Sequence, residues 1–326
     1  MIVEDLAAAL RIAGHDVEVF QVPFRDYWRE LPQQTYALRM LHFEESDLLI
    51  GIRNPIHVVK HHNKKLWFIH HYRGAYDLWR TRYQNIPNSS EGLAVRDGII
   101  QADNLFLREA RKIYTNSKVV SRRLQAYNQV SSEVLYPPLS KSSNFYCGGC
   151  EDYIFFPSRI TSHKRQELAV ESMKYVQTPV RLVIAGAPDA PQDLESLRAA
   201  ILEHGVTDKV QVISTWISKQ EKIGLFADCL GCIYPPFDED SYGYVSLESC
   251  YAQKPLITCS DSGGALEIVQ HGVNGLIVPP VPQEIAAAMD RLMADRSRAR
   301  KMGKAGLEMI SSLGISWERV VQAFVP

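Results

Sequence analysis

The sequence predicts an α/β protein of two Rossmann-like domains, the first of them lacking its opening strand. Short apolar runs alternate with helical patterns along nearly the whole chain, which is the pattern of parallel strands joined by crossover helices. The pattern runs once as far as Tyr136–Leu139, breaks over a polar stretch, and begins again at Tyr153. A length of 326 residues also suits two cores better than one. The expected division is a first domain over 1–139, a linker over 140–151, a second domain over 152–315 and a C-terminal helix over 316–326.

In chain order, Ile2, Val3, Leu6, Leu10 and Ala13 recur at helical spacing and predict a helix over 2–13. A domain of this kind opens with a buried strand and a glycine-rich turn ahead of that helix. The expectation is therefore a chain shortened or mis-started at its front. Strands are expected at Asp16–Val22, Asp47–Ile52, Leu66–His70, Lys112–Asn116 and Glu133–Tyr136, with further helices over 97–110 and 117–127. Ser140–Glu151, rich in polar residues and glycine, reads as the linker.

In the second half, strands are expected at Tyr153–Pro157, Arg181–Ala185, Val210–Ser214, Cys232–Tyr234, Leu256–Cys259 and Leu276–Val278. Ser218 followed by Glu221 has the spacing of a capping box and opens a helix running to about Asp228. Residues 283–294, 296–310 and Trp317–Phe324 read as the closing helices.

Composition narrows the function classes. Hydrophobic residues make up 46% and charged residues 22%, and the formal charge is −1, so bulk charge makes no case for nucleic acid. No apolar run approaches the about 18–20 residues that span a bilayer. Glu4 and Asp5 stand where a secretory signal carries basic residues. A cytoplasmic protein is expected. The basic-aromatic stretch Arg108–Tyr127 reads as a solvated helix face or as a peripheral contact with an anionic membrane. Two CxxC pairs, Cys147/Cys150 and Cys229/Cys232, have a spacing that lets both thiolates face one zinc ion. Cys232 falls in an apolar strand, however, which favours a place in the core, and Cys147/Cys150 falls in the linker.

The residues that carry chemistry lie in the second half, at strand ends. Arg159 and Lys164 follow the strand Tyr153–Pro157, at the carboxyl edge where ligands bind in open parallel sheets. The arginine offers a planar fork for phosphate oxygens and the lysine a mobile point charge. Gly243 allows a tight backbone approach, and a helix beginning near Tyr244 directs free N–H groups at whatever precedes it, a natural seat for diphosphate. Glu248, one turn into that helix, can accept hydrogen bonds from a ribose diol, and Asp240 lies before it, near a sugar ring. Gly263 and Gly264 open a further turn able to bring N–H groups to an anion. Asp238-Glu239-Asp240 matches an acidic metal-binding pattern only formally, so no metal site is expected.

In order and spacing, Arg159-x4-Lys164, Asp240-x7-Glu248, Gly263-Gly264-Ala265-Leu266-Glu267 and the following His271–Pro279 resemble the family-four retaining glycosyltransferases of GT-B fold, the glycosyl transferases group 1. The resemblance covers about residues 151–325 strongly and the first half more loosely. It implies that Arg159 and Lys164 bind the donor diphosphate and stabilise its developing charge. Asp240, standing where the family has glutamate, would face the donor sugar, and Glu248 would hold the ribose. Ser241, Tyr242, Gly243, Tyr244 and Val245 would contact phosphate and sugar, and Thr215, Trp216 and Ile217 would cradle the base. In the first half, His70 would stand near the reacting sugar, with His71, Arg73 and Tyr76 as acceptor contacts; otherwise the two histidines are exposed loop residues.

The function this implies is transfer of a hexose-type sugar from a nucleoside diphosphate to an acceptor hydroxyl, with retained configuration and no cofactor or metal. The expected partners are a nucleotide-sugar donor and a carbohydrate or glycolipid acceptor. Closure about residues 139–151 and the C-terminal helix is expected. A non-catalytic nucleotide-sugar-binding module of the same fold is the alternative. A nicotinamide-binding protein is disfavoured, because no GxGxxG stands at a first strand-to-helix turn.

Overall fold

The computed structural model describes residues 2–43, 45–239 and 241–325. It divides into two compact units, Met1–Pro138 with Ile315–Pro326, and Leu139–Gly314.

The first unit carries four parallel strands, β1 (Leu49–Gly51), β2 (Lys64–Phe68), β3 (Lys112–Thr115) and β4 (Glu133–Val134), in the order β1-β2-β3-β4. Leu6 and Leu10 of the helix Ile2–Ile12 meet Trp67 of β2, Tyr114 of β3 and Val320 and Phe324 of the helix Trp317–Phe324 in one apolar cluster. Two hydrogen bonds tie that last helix to the strands, and a third ties β2 to the residue after β4. Lys65 Nζ donates to Phe324 O (2.6 Å), the Tyr114 hydroxyl to Ala323 O (2.8 Å), and the Trp67 indole N–H to Leu135 O (2.9 Å). Lys64 is fully buried, and burial pushes its ammonium below its usual range. It donates to His57 O (2.6 Å) and Val59 O (2.9 Å) and pairs with Glu109 (3.3 Å), so the loop after β1 is tied to the strand beside it.

One expected strand is absent. Asp16–Val22 runs as irregular chain with Val19, Phe20 and Val22 exposed. Its apolar residues fall on both faces, a pattern that needs a neighbouring strand on each side to satisfy the backbone. The structure offers this segment no ladder; Arg11 Nη2 holds it by donating to Val17 O (2.6 Å). Three helices have no sequence expectation, Leu31–Arg39, Gln166–Ser172 and Pro191–Glu203, and the first and last carry proline within their first two residues.

The second unit is a six-stranded parallel sheet of β5 (Tyr153–Pro157), β6 (Arg181–Ala185), β7 (Val210–Ile213), β8 (Gly231–Ile233), β9 (Leu256–Cys259) and β10 (Gly275–Val278), in the order β10-β9-β8-β5-β6-β7. All five residues of β5 are buried, as a central strand covered on both faces requires. Ser218 opens the helix Lys219–Asp228 with both arms of the capping box. Its hydroxyl accepts from Glu221 N (3.1 Å), and the Glu221 carboxylate accepts from Ser218 N (2.7 Å); hydrogen bonding to the Ser218 side chain first, and to its backbone next, holds that acid below its usual range. Cys229 and Cys232 are free buried thiols with sulfurs 3.8 Å apart, and burial pushes the Cys232 thiol up. Among the described residues, no three His, Cys, Asp or Glu side chains are placed to hold a metal ion, and no helix is long and apolar enough to cross a membrane.

Candidate functional site

From β5 the chain of the second unit winds outward through β6 and β7, then returns to the other side of β5 for β8, β9 and β10. The loops leaving the carboxyl ends of β5 and β8 therefore run in opposite directions, and this switch point is where open α/β sheets form a ligand crevice. Three loops meet there through their backbones. Phe237 N donates to His163 O (2.8 Å), Asp238 N to Asp261 O (2.9 Å) and Gly264 N to Glu239 O (2.8 Å). The segments after β5, β8 and β9 are thus one assembly.

Its cations are each met by an acid. Arg159 forks onto Asp189 (2.6 and 2.8 Å) with 65% of its side chain exposed, so water screens the pair and its worth is about 0–1 kcal/mol. Arg165 is buried and lies over the Phe237 ring (5.0 Å), with its fork on Asp261 (2.9 and 2.6 Å). Lys164 is buried, donates to the Tyr234 hydroxyl (2.7 Å) and pairs with Glu239. Sequence reasoning named Arg159 and Lys164 but none of their acidic partners. Glu239 lay within the Asp238-Glu239-Asp240 run, and spacing alone does not tell which acid of such a run turns inward.

Gly243 has φ +70°, and a Cβ there would lie 2.4 Å from the Tyr234 ring, so glycine lets the turn press on that tyrosine. The helix Tyr244–Tyr251 starts immediately after it, with Tyr242 and Val245 buried and Ser241 and Tyr244 half-buried. Glu248 lies one turn in, buried. Its Oε1 accepts from Lys222 Nζ (2.7 Å), while its buried Oε2 has no hydrogen-bond partner. The Gly264 N–H, expected to face an anion, is instead donated to Glu239 O, and Gly263 packs against the same residue. Thr215 and Trp216 are exposed and Ile217 half-buried after β7, with Trp216 at 89%. Asp240 lies outside the described residues.

In the first unit the residues named for the reacting centre and the acceptor follow β2, and all four are engaged within the unit. His71 is buried, bonds Asn128 Oδ1 through Nε2 (2.7 Å) and packs against the Tyr76 ring (4.5 Å). The Tyr76 hydroxyl donates to Asp103 (2.7 Å), which also lies 2.8 Å from His57 Nε2. Arg73 pairs with Asp77 (2.7 Å), and Arg123 reaches the same carboxylate (3.5 Å). His70 is half-buried with Nδ1 on His71 O (2.6 Å).

Burial holds the His71 imidazole below its usual 6.5, opposed only in part by Asp103, Asp77 and the bond to Asn128. The unfolded chain therefore takes up this proton at higher pH than the folded one. Stability falls as the pH drops through 6.5, by up to about 1.4 kcal/mol per pH unit, until the folded imidazole also titrates. Urea titrations of the wild type and His71→Gln at pH 7.5 and 5.5 test this. The variant is expected to lose less stability on acidification, and an equal loss would refute the assignment.

A family model described as glycosyl transferases group 1 matches residues 149–309, which span β5 to β10 and all three loops. Residues 149–309 belong to the glycosyl transferases group 1. The human alpha-1,3/1,6-mannosyltransferase ALG2 is 25% identical over 211 residues, 58% of this chain and 50% of that protein. The chain thus spans about half the length of this curated relative. Sucrose-phosphate synthase from Thermosynechococcus elongatus superposes with a TM-score of 0.77 at 19% identity, covering 98% of this chain and 90% of that one. Anabaena HepE, solved in complex with UDP-glucose, gives 0.64 at 18% identity over 80% and 71% of the two chains. The fold that the chain shares with these structures is GT-B.

Proposed function

We propose that the chain is a glycosyltransferase that moves a hexose-type sugar from a nucleoside diphosphate to the hydroxyl of a carbohydrate or glycolipid acceptor. The observation that carries this reading is Glu248 Oε2, a buried acceptor with no partner, one turn into a helix that begins at the switch point. A buried polar atom left open calls for a ligand donor, and a ribose hydroxyl has that chemistry. Its neighbours suit the rest of a nucleotide sugar. The N-terminus of the helix Tyr244–Tyr251 favours phosphate. Arg159 and Lys164 supply fixed cations, and exposed Trp216 offers a ring for a base. Asp240 is assigned to the donor sugar and His70 to the neighbourhood of the reacting centre.

With cations and N–H groups taking up the charge of the leaving diphosphate, the transfer is proposed to need no metal. Retention follows if the departing phosphate takes the acceptor proton on the face it leaves. The name of the human relative makes mannose the first sugar to try.

The test is a thermal-shift panel of UDP-, GDP-, ADP- and dTDP-sugars in EDTA, followed by turnover with the donor that binds. A ligand at 100 times its Kd adds about 2.7 kcal/mol, enough to raise the melting temperature by several degrees. One nucleotide is expected to give that shift. Binding without turnover on any acceptor would favour a non-catalytic module, and no shift with any donor would sink the nucleotide-sugar reading.

A further inference from the structure

The ion pairs at the carboxyl edge of the second sheet differ in what they leave open to a phosphate. Arg159 and Asp189 meet in solvent, so an incoming anion finds the guanidinium screened and easily parted from its acid. Arg165 is a tie between loops, buried over Phe237 with its fork on Asp261. Lys164 is neither. Its side chain is 10% exposed and that of its partner Glu239 13%, and the Tyr234 hydroxyl closes a ring by accepting from Nζ (2.7 Å) and donating to Glu239 Oε2 (3.0 Å).

The backbone under Glu239 is held in place. Its carbonyl accepts from Gly264 N at 2.8 Å. Gly263 presses on it so closely that a Cβ would stand 2.4 Å from its O and 2.6 Å from its N, in a backbone at φ +59° that itself favours glycine. The neighbouring Phe237 and Asp238 are bonded to the loops after β5 and β9. The Gly263-Gly264 turn thus positions a carboxylate on the lysine, and rotation of the Glu239 side chain is the route off it.

We infer that Glu239 is a built-in competitor of the donor diphosphate: its carboxylate holds the place on Lys164 that a phosphate oxygen takes, and donor binding proceeds by its displacement. This rests on the donor reading above. The ammonium keeps a third N–H, but a phosphate brought to it would share one water-poor ammonium with the carboxylate, where like charges repel. The consequence is selectivity by charge. A ligand strong enough to turn Glu239 away carries a diphosphate, while a nucleoside leaves the pair closed.

The experiment is isothermal titration of the full chain and of Glu239→Gln with UDP, GDP, ADP and dTDP and with the four matching nucleosides. The variant is expected to bind the recognised diphosphate on the order of tenfold more tightly, with no gain for the nucleoside. Ligand-free melting curves establish that each protein is folded, and Glu239→Ser, a second neutral side chain, is expected to give the same gain. If the wild type binds a diphosphate and both folded variants bind it equally or more weakly, the competitor role is overturned and the donor reading stands. An equal gain for nucleoside and diphosphate would also overturn it, since the effect would then lie in the fold. If neither the wild type nor the variants bind any of the four, the donor reading falls and takes this inference with it.

Discussion

Replacing Lys164 with alanine is expected to lower kcat by about 10²–10³-fold, the loss typical of one preorganised group aimed at developing charge. The lysine follows β5 at the switch point, with its side chain enclosed between the Tyr234 ring (5.1 Å) and the Glu239 carboxylate. A charge so enclosed is weakly screened, so in the proposed transfer its field on a leaving phosphate would exceed that of Arg159, which stands largely in water. Arg159→Ala is accordingly expected to cost less than Lys164→Ala. The variant takes the ammonium away from Glu239, and some loss of stability is expected from breaking that buried pair. Melting curves and donor Kd measured beside kcat separate the two effects. Turnover within about twofold of wild type, from a folded protein, would remove Lys164 from the reaction.

The second half of the chain was more legible than the first, and the reason is physical. Strands β5, β6 and β9 fall at the expected residues because each is a short, mainly apolar run, buried throughout but for Arg181 at the start of β6. The capping box at Ser218 was legible because it is local: two residues three apart make both hydrogen bonds. Asp16–Val22 reads as a strand by the same logic, yet strand formation depends on a neighbouring edge that composition does not reveal. The helix Leu31–Arg39 has no counterpart among the expected elements; its Pro32 falls in the first turn, where proline is compatible with a helix. At the candidate site, the types and spacing of the cations were visible, whereas their pairing was not. Asp189 stands 30 residues from Arg159 and Glu239 75 residues from Lys164, so the topology that joins them lies beyond any local pattern. The same holds for His71 and Tyr76, whereas Arg73 pairs with Asp77 only four residues on. A polar-aromatic loop after a strand does not reveal which protein groups its side chains bond, in this case Asn128, Asp77 and Asp103.

Trp67→Ala is expected to destabilise the first unit by about 3–5 kcal/mol, the range for emptying a buried aromatic site. Trp67 sits in β2 with none of its surface exposed, against Phe324 (ring centroids 5.7 Å) and Trp317 (6.3 Å) of the C-terminal helix. Its indole N–H is the partner of Leu135 O (2.9 Å), so truncation also leaves a carbonyl short of a donor next to the short strand β4. The cavity would open where the chain returns from the second unit to close the first, among Leu6, Leu10, Val320 and Phe324. The loss should therefore appear as detachment of the helix Trp317–Phe324 as well as a lower midpoint. Hydrogen exchange is expected to show its amides, and those of the helix Ile2–Ile12, losing protection together, with the strands β5 to β10 unchanged. Uniform loss across both units would mean that they unfold as one cooperative block, and a change below about 1 kcal/mol would mean that the site collapses around the missing ring.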